Sequence, residues 1–153
     1  MTAKPWLSEY PPEIPHTLSY ESIPVQEYLT RAYQNYPDKI AIHFLGKDVT
    51  YRELYESSLK FASYLRTLGI QKGDRVAIML PNCPQNVIGY YGILYAGAIV
   101  VQTNPLYTER EIAYQMKDSG AKAILSLDIL FPRISKVVKE TNLENIIITG
   151  IKD

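Results

Sequence analysis

The stretch from Gly69 to Tyr107 leaves this chain few folds to choose from. Arg75-Val-Ala-Ile-Met-Leu80 is an apolar run too continuous for a strand with one wet face. It predicts a strand buried on both sides, as in a parallel sheet covered by helices. Gly73-Asp74 supplies the turn into it. From Pro84 to Ala96 the pattern turns helical, with Pro84 suited to the first turn, Asn82 placed as a cap and Gly97 able to stop the helix in a left-handed conformation. Ala98-Ile-Val-Val-Gln-Thr103 then returns to buried strand. Gly89 and Gly92 are neighbours on the helix surface, and their missing side chains predict a close approach of the helix backbone to the sheet.

The flanking sequence continues the alternation. Residues 1–22 read as an extended arm, because Pro5, Pro11, Pro12 and Pro15 interrupt any regular helix, while Trp6, Leu7, Tyr10 and Ile14 need apolar cover. Val25, Leu29, Ala32, Tyr33 and Tyr36 recur at helical spacing up to Pro37. A strand from Lys39 to Leu45, a tight turn at Gly46-Lys-Asp48 and a short return strand at Val49-Thr50 predict a hairpin. Thr50 with Glu53, and Thr108 with Glu111, have the spacing of capping boxes, each heading a helix that a glycine closes, Gly69 and Gly120. Ala121–Leu127 predicts a strand, Asp128 a cap for a helix carrying Leu130, Ile134, Val137 and Val138, and Asn145–Thr149 a last strand. The fold class is therefore α/β: a partial doubly wound, mainly parallel sheet with flanking helices, plus a proline-rich N-terminal arm and a small hairpin. Ligands are expected beyond the carboxyl ends of its strands.

Composition excludes several function classes. Sixteen basic residues balance sixteen acidic ones with no basic run, so no net field favours nucleic acid. A single cysteine, Cys83, rules out an internal disulfide framework, and the proline-broken N-terminus has no apolar signal core, which together fit a reducing cytoplasm. No apolar run approaches the roughly 20 residues of a membrane span, leaving only peripheral contact, at the inner face of the membrane.

Few residues invite a chemical reading. A phosphate cradle needs backbone amides aimed from a glycine-rich turn into a helix N-terminus. Pro81-Asn82-Cys83-Pro84 puts two residues without an amide hydrogen in that place. Cys83 lies near a helix start that could activate a thiol, against which stands the commoner role of a buried cysteine as a small hydrophobe, with a partner base scarce. His16 and His43 lack metal-ligand spacing to each other or to Cys83. Glu109 and Glu111 sit in a helix first turn, where the dipole accounts for them, and Asp74 and Asp128 read as turn and cap residues. Thirteen tyrosines are many for 153 residues, and Tyr90, Tyr91 and Tyr95 crowd one helix. They read either as an aromatic wall for an apolar ligand or as core packing with phenols reaching water.

Several phrases in succession resemble one family. Val49-Thr-Tyr-Arg-Glu-Leu54, Lys72-Gly-Asp-Arg-Val-Ala77 with Leu80-Pro-Asn82, Tyr95-Ala-Gly-Ala98, Asn104-Pro-Leu-Tyr-Thr108 and Asp118-Ser-Gly-Ala-Lys122 are similar to the opening of the adenylate-forming acyl-CoA ligases. Within that family, Lys4-Pro-Trp-Leu7 with Tyr10-Pro11 and Ile14-Pro15 resembles the arm of bacterial long-chain fatty-acid CoA ligases. Coumarate-type ligases share much of the remainder.

The resemblance implies that residues 1–22 are an arm and residues 23–153 the first part of the large N-terminal domain of such a ligase. Such enzymes activate a fatty acid with ATP and Mg2+ to an acyl-adenylate and pass the acyl group to coenzyme A. The family's phosphate loop, ribose-holding aspartate and adenylation lysine have no counterpart here. The resemblance therefore assigns no catalytic, cofactor-binding or metal residue to this chain, and ATP, Mg2+ and coenzyme A are expected to bind the parent enzyme and not this piece. A medium-chain or coumarate-type acid ligase, or a non-catalytic binding or assembly module, are the alternative readings. Pairing of two copies is compatible with all of them.

Overall fold

Four parallel strands carry the core: β3 (Arg75–Met79), β4 (Ile99–Gln102), β5 (Ala123–Leu127) and β6 (Asn145–Thr149), in the spatial order β4-β3-β5-β6. The computed structural model describes residues 4–152, so the first three residues of the expected arm and Asp153 lie outside the described residues. The parallel pairing expected for these strands is observed throughout, with Val76 aligned to Val100 on one side and to Ala123 on the other. Helix α3 (Pro84–Tyr95) joins β3 to β4, α4 (Glu109–Ser119) joins β4 to β5, and α5 (Phe131–Val137) joins β5 to β6.

Both faces of the sheet are covered. Val76, Ile78 and Leu80 pack with Ile93 of α3 and with Ala62 and Leu65 of α2 (Tyr51–Thr67). Ala77 and Met79 point the other way, into a second cluster with Ile112 and Met116 of α4 and Ile134 of α5. Residues 76–79 are each 0% exposed, which is why their sequence shows no polar alternation. Strand β4 differs from the expectation of a second buried strand. It is the sheet edge, so Ile99 is 50% exposed. At this edge the Gln102 carbonyl accepts a hydrogen bond from Gln115 Nε2 of α4 at 2.9 Å.

At the amino ends of the strands, polar side chains tie the connections together. Asp74 Oδ2 accepts from the Gln71 amide at 2.8 Å, and its Oδ1 pairs with Lys122 Nζ at 2.9 Å. The Gln71 amide, and then Lys122, hold the Asp74 carboxyl below the usual carboxylate range. Arg75 donates to the carbonyls of Ser119 and Gly120 at 2.9 and 2.8 Å, closing the end of α4. Asp74 is thus more than the turn residue expected: it links the entries of β3 and β5.

The two capping boxes form as expected. Thr50 and Thr108 accept from the amides of Glu53 and Glu111, whose carboxylates bond back to the threonine amides. Both carboxyls lie below their usual range, chiefly through those amide bonds and then the threonine hydroxyls. Other local expectations shift. The hairpin of β1 (Ile40–Phe44) and β2 (Lys47–Thr50) turns at Leu45-Gly46, not Gly46–Asp48. Both turn residues have positive φ, 48° and 78°, as in a type I′ turn that matches strand twist. Cys83, not Asn82, occupies the cap position of α3, and its side chain makes no capping bond. Asp128 opens a short 3-10 turn to Leu130, and α5 begins only at Phe131, with Pro132 in its first turn. Among the described residues the arm contains one 3-10 turn, Pro5–Glu9, and its Trp6, Tyr10 and Leu18 are exposed.

Helix α1 (Gln26–Asn35) docks through aromatic rings. Tyr33 stacks on Tyr55 at 4.3 Å, and Tyr95 meets Tyr55 edge-on at 5.8 Å. The Tyr95 hydroxyl donates to the Gln26 carbonyl at 3.0 Å and lies 2.9 Å from Thr30 Oγ1, while burial pushes its phenol up. For Tyr95 the packing reading is the one observed.

The helix glycines have different neighbours. A β-carbon at Gly89 would stand 2.6 Å from Leu125 Cδ2 of the sheet, as expected, whereas at Gly92 it would stand 2.7 Å from Phe61 Cδ1 and 2.9 Å from the Ser58 carbonyl oxygen of α2. A leucine methyl can rotate away and a helix carbonyl cannot. Gly92→Ala is therefore expected to destabilise the fold by about 1–3 kcal/mol, and Gly89→Ala by less, as read from denaturant midpoints; an equal or smaller loss at Gly92 would contradict this contact.

Asp74 gives a pH signature. Its folded pKa is lowered, so its contribution is complete above the unfolded carboxylate value of about 3.9 and fades as pH falls through the folded value. Asp74→Asn is expected to cost about 1–3 kcal/mol at pH 7, with the gap to the unaltered chain closing below about pH 4. A gap that persists in acid would show that charge is not the source.

Candidate functional site

The crevice beyond the carboxyl ends of the strands is where a doubly wound sheet holds ligands. Here it is bounded by the loops after Met79, Gln102, Leu127 and Thr149. Each of three loops is tied down by a side chain from a helix. After β3, Asn86 Nδ2 donates to the carbonyls of Leu80 and Pro81, both at 3.1 Å. The turn therefore turns its carbonyls toward Asn86, and Pro81 and Pro84 contribute no amide hydrogen. After β4, Asn104 accepts from the Leu106 amide at 2.9 Å, and Arg133 of α5 donates to the carbonyls of Tyr107 at 2.8 Å and Pro105 at 3.3 Å. Leu106 at the tip is 84% exposed. After β6, Gln85 Nε2 of α3 donates to the Gly150 carbonyl at 3.0 Å. Periodicity and motif reading missed Arg133 and Gln85, because their partners lie 26 and 65 residues away.

Beside the Gln85 tie, a cavity of about 460 Å³ opens between the hairpin, the amino ends of α2 and α3 and the exit of β6. Its wall is mostly apolar, with Phe44, Val49, Ile88 and Ile151 prominent.

The residues weighed for chemistry scatter. Cys83 is 4% exposed in the apolar cluster of α2 and α3. His43 and Cys83 both border a shallow hollow of about 470 Å³, yet no hydrogen bond joins them among the described residues. His43 Nδ1 instead meets Asp48 Oδ1 at 2.5 Å. His16 lies in the arm with its ring 5.8 Å from Tyr10. Glu109 pairs with Lys136 at 2.7 Å, and Glu111 is spent on its capping box. Tyr90 and Tyr91 meet edge-on at 5.6 Å. Among the described residues, no three of His, Cys, Asp and Glu gather into a metal-binding group, and no helix is long and apolar enough to cross a membrane. The geometry amounts to a platform of side-chain-tied loops with an apolar cavity beside it.

Comparison with known proteins gives this platform a lineage. Residues 29–151 match the model of a family described as AMP-binding enzyme. The long-chain-fatty-acid–CoA ligase of Bacillus subtilis is 51% identical over 150 residues, covering 98% of this chain and 27% of that protein. The enzyme of the same description from Salmonella typhimurium is 42% identical over 154 residues, with the same two coverages of 98% and 27%. A crystal structure of a long-chain-fatty-acid-CoA ligase from Archaeoglobus fulgidus superposes with a TM-score of 0.81 at 24% identity, covering 87% of this chain and 28% of that one. The chain thus spans about a quarter of the length of the curated relatives it matches.

The Arg133 tie yields a local prediction. Arg133→Ala should release the carbonyls of Pro105 and Tyr107, raising amide hydrogen exchange across Asn104–Thr108 while costing about 1–3 kcal/mol of global stability. Unchanged exchange there would mean that the capping box alone holds the loop.

Proposed function

This chain belongs to the AMP-binding enzyme family, and on that premise we propose that it is the opening, scaffold-building portion of a long-chain fatty-acid CoA ligase. Residues 1–22 are the arm and residues 23–153 the first part of the large N-terminal domain. The observation that carries the reading is the 51% identity to the Bacillus subtilis ligase across 98% of the chain, the arm included. The parent enzyme activates a long-chain fatty acid with ATP and Mg2+ and transfers the acyl group to coenzyme A.

The residues present do not fit a nucleotide. The one turn a triphosphate would use has two prolines for amides, and its carbonyls are taken by Asn86. We therefore assign this portion no catalytic, cofactor-binding or metal residue. Its part is to hold the strands and loops in place. The lone, buried cysteine supports a cytoplasmic location for the parent, and contact with the inner membrane face and pairing of two copies are compatible with it. A second reading, a non-catalytic binding or assembly module of the same ancestry, draws on that same missing phosphate cradle.

The test has two parts. The full-length gene product is expected to form palmitoyl-CoA from palmitate in a manner dependent on ATP, Mg2+ and coenzyme A; a pure, folded product without this activity would favour the module. The 153-residue chain, titrated calorimetrically with ATP and Mg2+, is expected to give no binding heat, and in sedimentation it should associate through exposed apolar surface and sheet edge. Micromolar ATP binding would overturn the scaffold reading.

A further inference from the structure

We infer that Arg133 is a positioning residue for the parent enzyme's reaction, acting by holding the loop 104–108 in one geometry at the ligand end of the sheet. This role rests on the ligase reading proposed above, and it gives this portion a residue through which it sets the turnover rate. From the start of α5 the Arg133 guanidinium donates to the Tyr107 carbonyl at 2.8 Å and to the Pro105 carbonyl at 3.3 Å, both from Nη1. It thereby joins the loop that follows β4 to the helix that follows β5, although β3 stands between those two strands.

The loop is braced beyond what its connection needs. The Asn104 carbonyl accepts from the Tyr107 amide at 3.0 Å and the Asn104 side chain from the Leu106 amide at 2.9 Å, and the Thr108 capping box closes the other end. Such bonds are what a strand-to-helix connection of this length ordinarily uses. The two further bonds from Arg133 bracket Leu106, whose side chain, at 84%, is the most exposed of the large apolar side chains among the described residues. Backbone bonds on both sides keep the tip from folding back to cover that side chain. Bracing of this kind adds nothing to the core of this portion, and loops held on a rigid scaffold are where function concentrates.

Arg133 also differs from the basic residues around it. Lys136, one turn on along α5, pairs with Glu109 at 2.7 Å, and Lys117 of α4 with Glu140 at 3.7 Å. Arg133 enters no ion pair among the described residues, and its bonds run to backbone oxygens of the loop. What it fixes is the shape of the loop and not a charge balance. Shape matters steeply at a ligand crevice, where a displacement of about 1 Å from a change far from the reacting atoms can cost about 100-fold in rate.

The test uses the full-length gene product, with palmitoyl-CoA formation measured at saturating palmitate, ATP, Mg2+ and coenzyme A. Arg133→Ala is expected to lower kcat roughly tenfold or more at a temperature where its denaturation profile shows it folded, and to raise amide exchange across residues 104–108. Arg133→Lys should recover part of both losses, because one ammonium can donate to two carbonyls as Nη1 does. Arg133→Met, which has no donor, should recover neither. Asp74→Asn is the comparison for stability: it lies at the amino ends of the strands, and it is expected to lower the denaturation midpoint while leaving kcat unchanged. Equal losses of kcat in Arg133→Ala and Asp74→Asn would make Arg133 a fold-stabilising residue only and overturn the proposal, as would a lysine variant no better than the methionine one. A full-length product inactive before any substitution defeats the ligase reading and this role with it, whereas an active one whose kcat survives Arg133→Ala defeats this role alone.

Discussion

Burial of β3 on both faces is the constraint from which the rest of the architecture follows. A strand with Val76, Ala77, Ile78 and Met79 fully inside must have hydrogen-bonded neighbours on both edges and an apolar layer above and below. Each large side chain so buried contributes about 1.5–3 kcal/mol, and none of that is realised until both layers are in place. The crossovers through α3 and α4 supply one layer each while delivering β4 and β5 to opposite edges of β3. The polar residues that flank the strand complete the arrangement, since Asp74 and Arg75 fix the connections where the apolar run begins.

What was legible in the sequence is what local chemistry determines. Apolar runs marked the parallel strands, and threonine and glutamate three apart marked both capping boxes. What escaped depends on partners distant in the chain. Nothing near Arg133 says that it will hold the carbonyl of Tyr107, nor does anything near Gly92 say that its neighbour is the Ser58 carbonyl of α2 and not the sheet. The position of the hairpin turn was missed for a different reason. Leu45 takes a conformation for which its residue type gives no warning. The edge position of β4 was equally hidden, because its apolar run resembles that of β3 while its neighbours differ.

The cavity was invisible to sequence reading for a topological reason: its wall is assembled from β1, β2, α2, α3 and the exit of β6, more than 100 residues apart at the extremes. The loops at the carboxyl ends of the strands are anchored from the helices by amide and guanidinium donors. Sites built on such support keep their geometry without help from a ligand.

The bond from Gln115 to the Gln102 carbonyl makes the two edges of the sheet unequal. On β4 an outward-facing acceptor is already satisfied, whereas no side-chain tie of this kind reaches Ile146, Ile147 or Ile148 of β6 among the described residues. Addition of β6 of one molecule to β4 of the next is a head-to-tail contact that repeats without end, the geometry of a filament. Meeting of β6 with β6 is self-complementary about a two-fold axis and leaves nothing further to add. One glutamine thus leaves the two edges chemically distinct, with one β4 carbonyl already carrying a side-chain hydrogen bond.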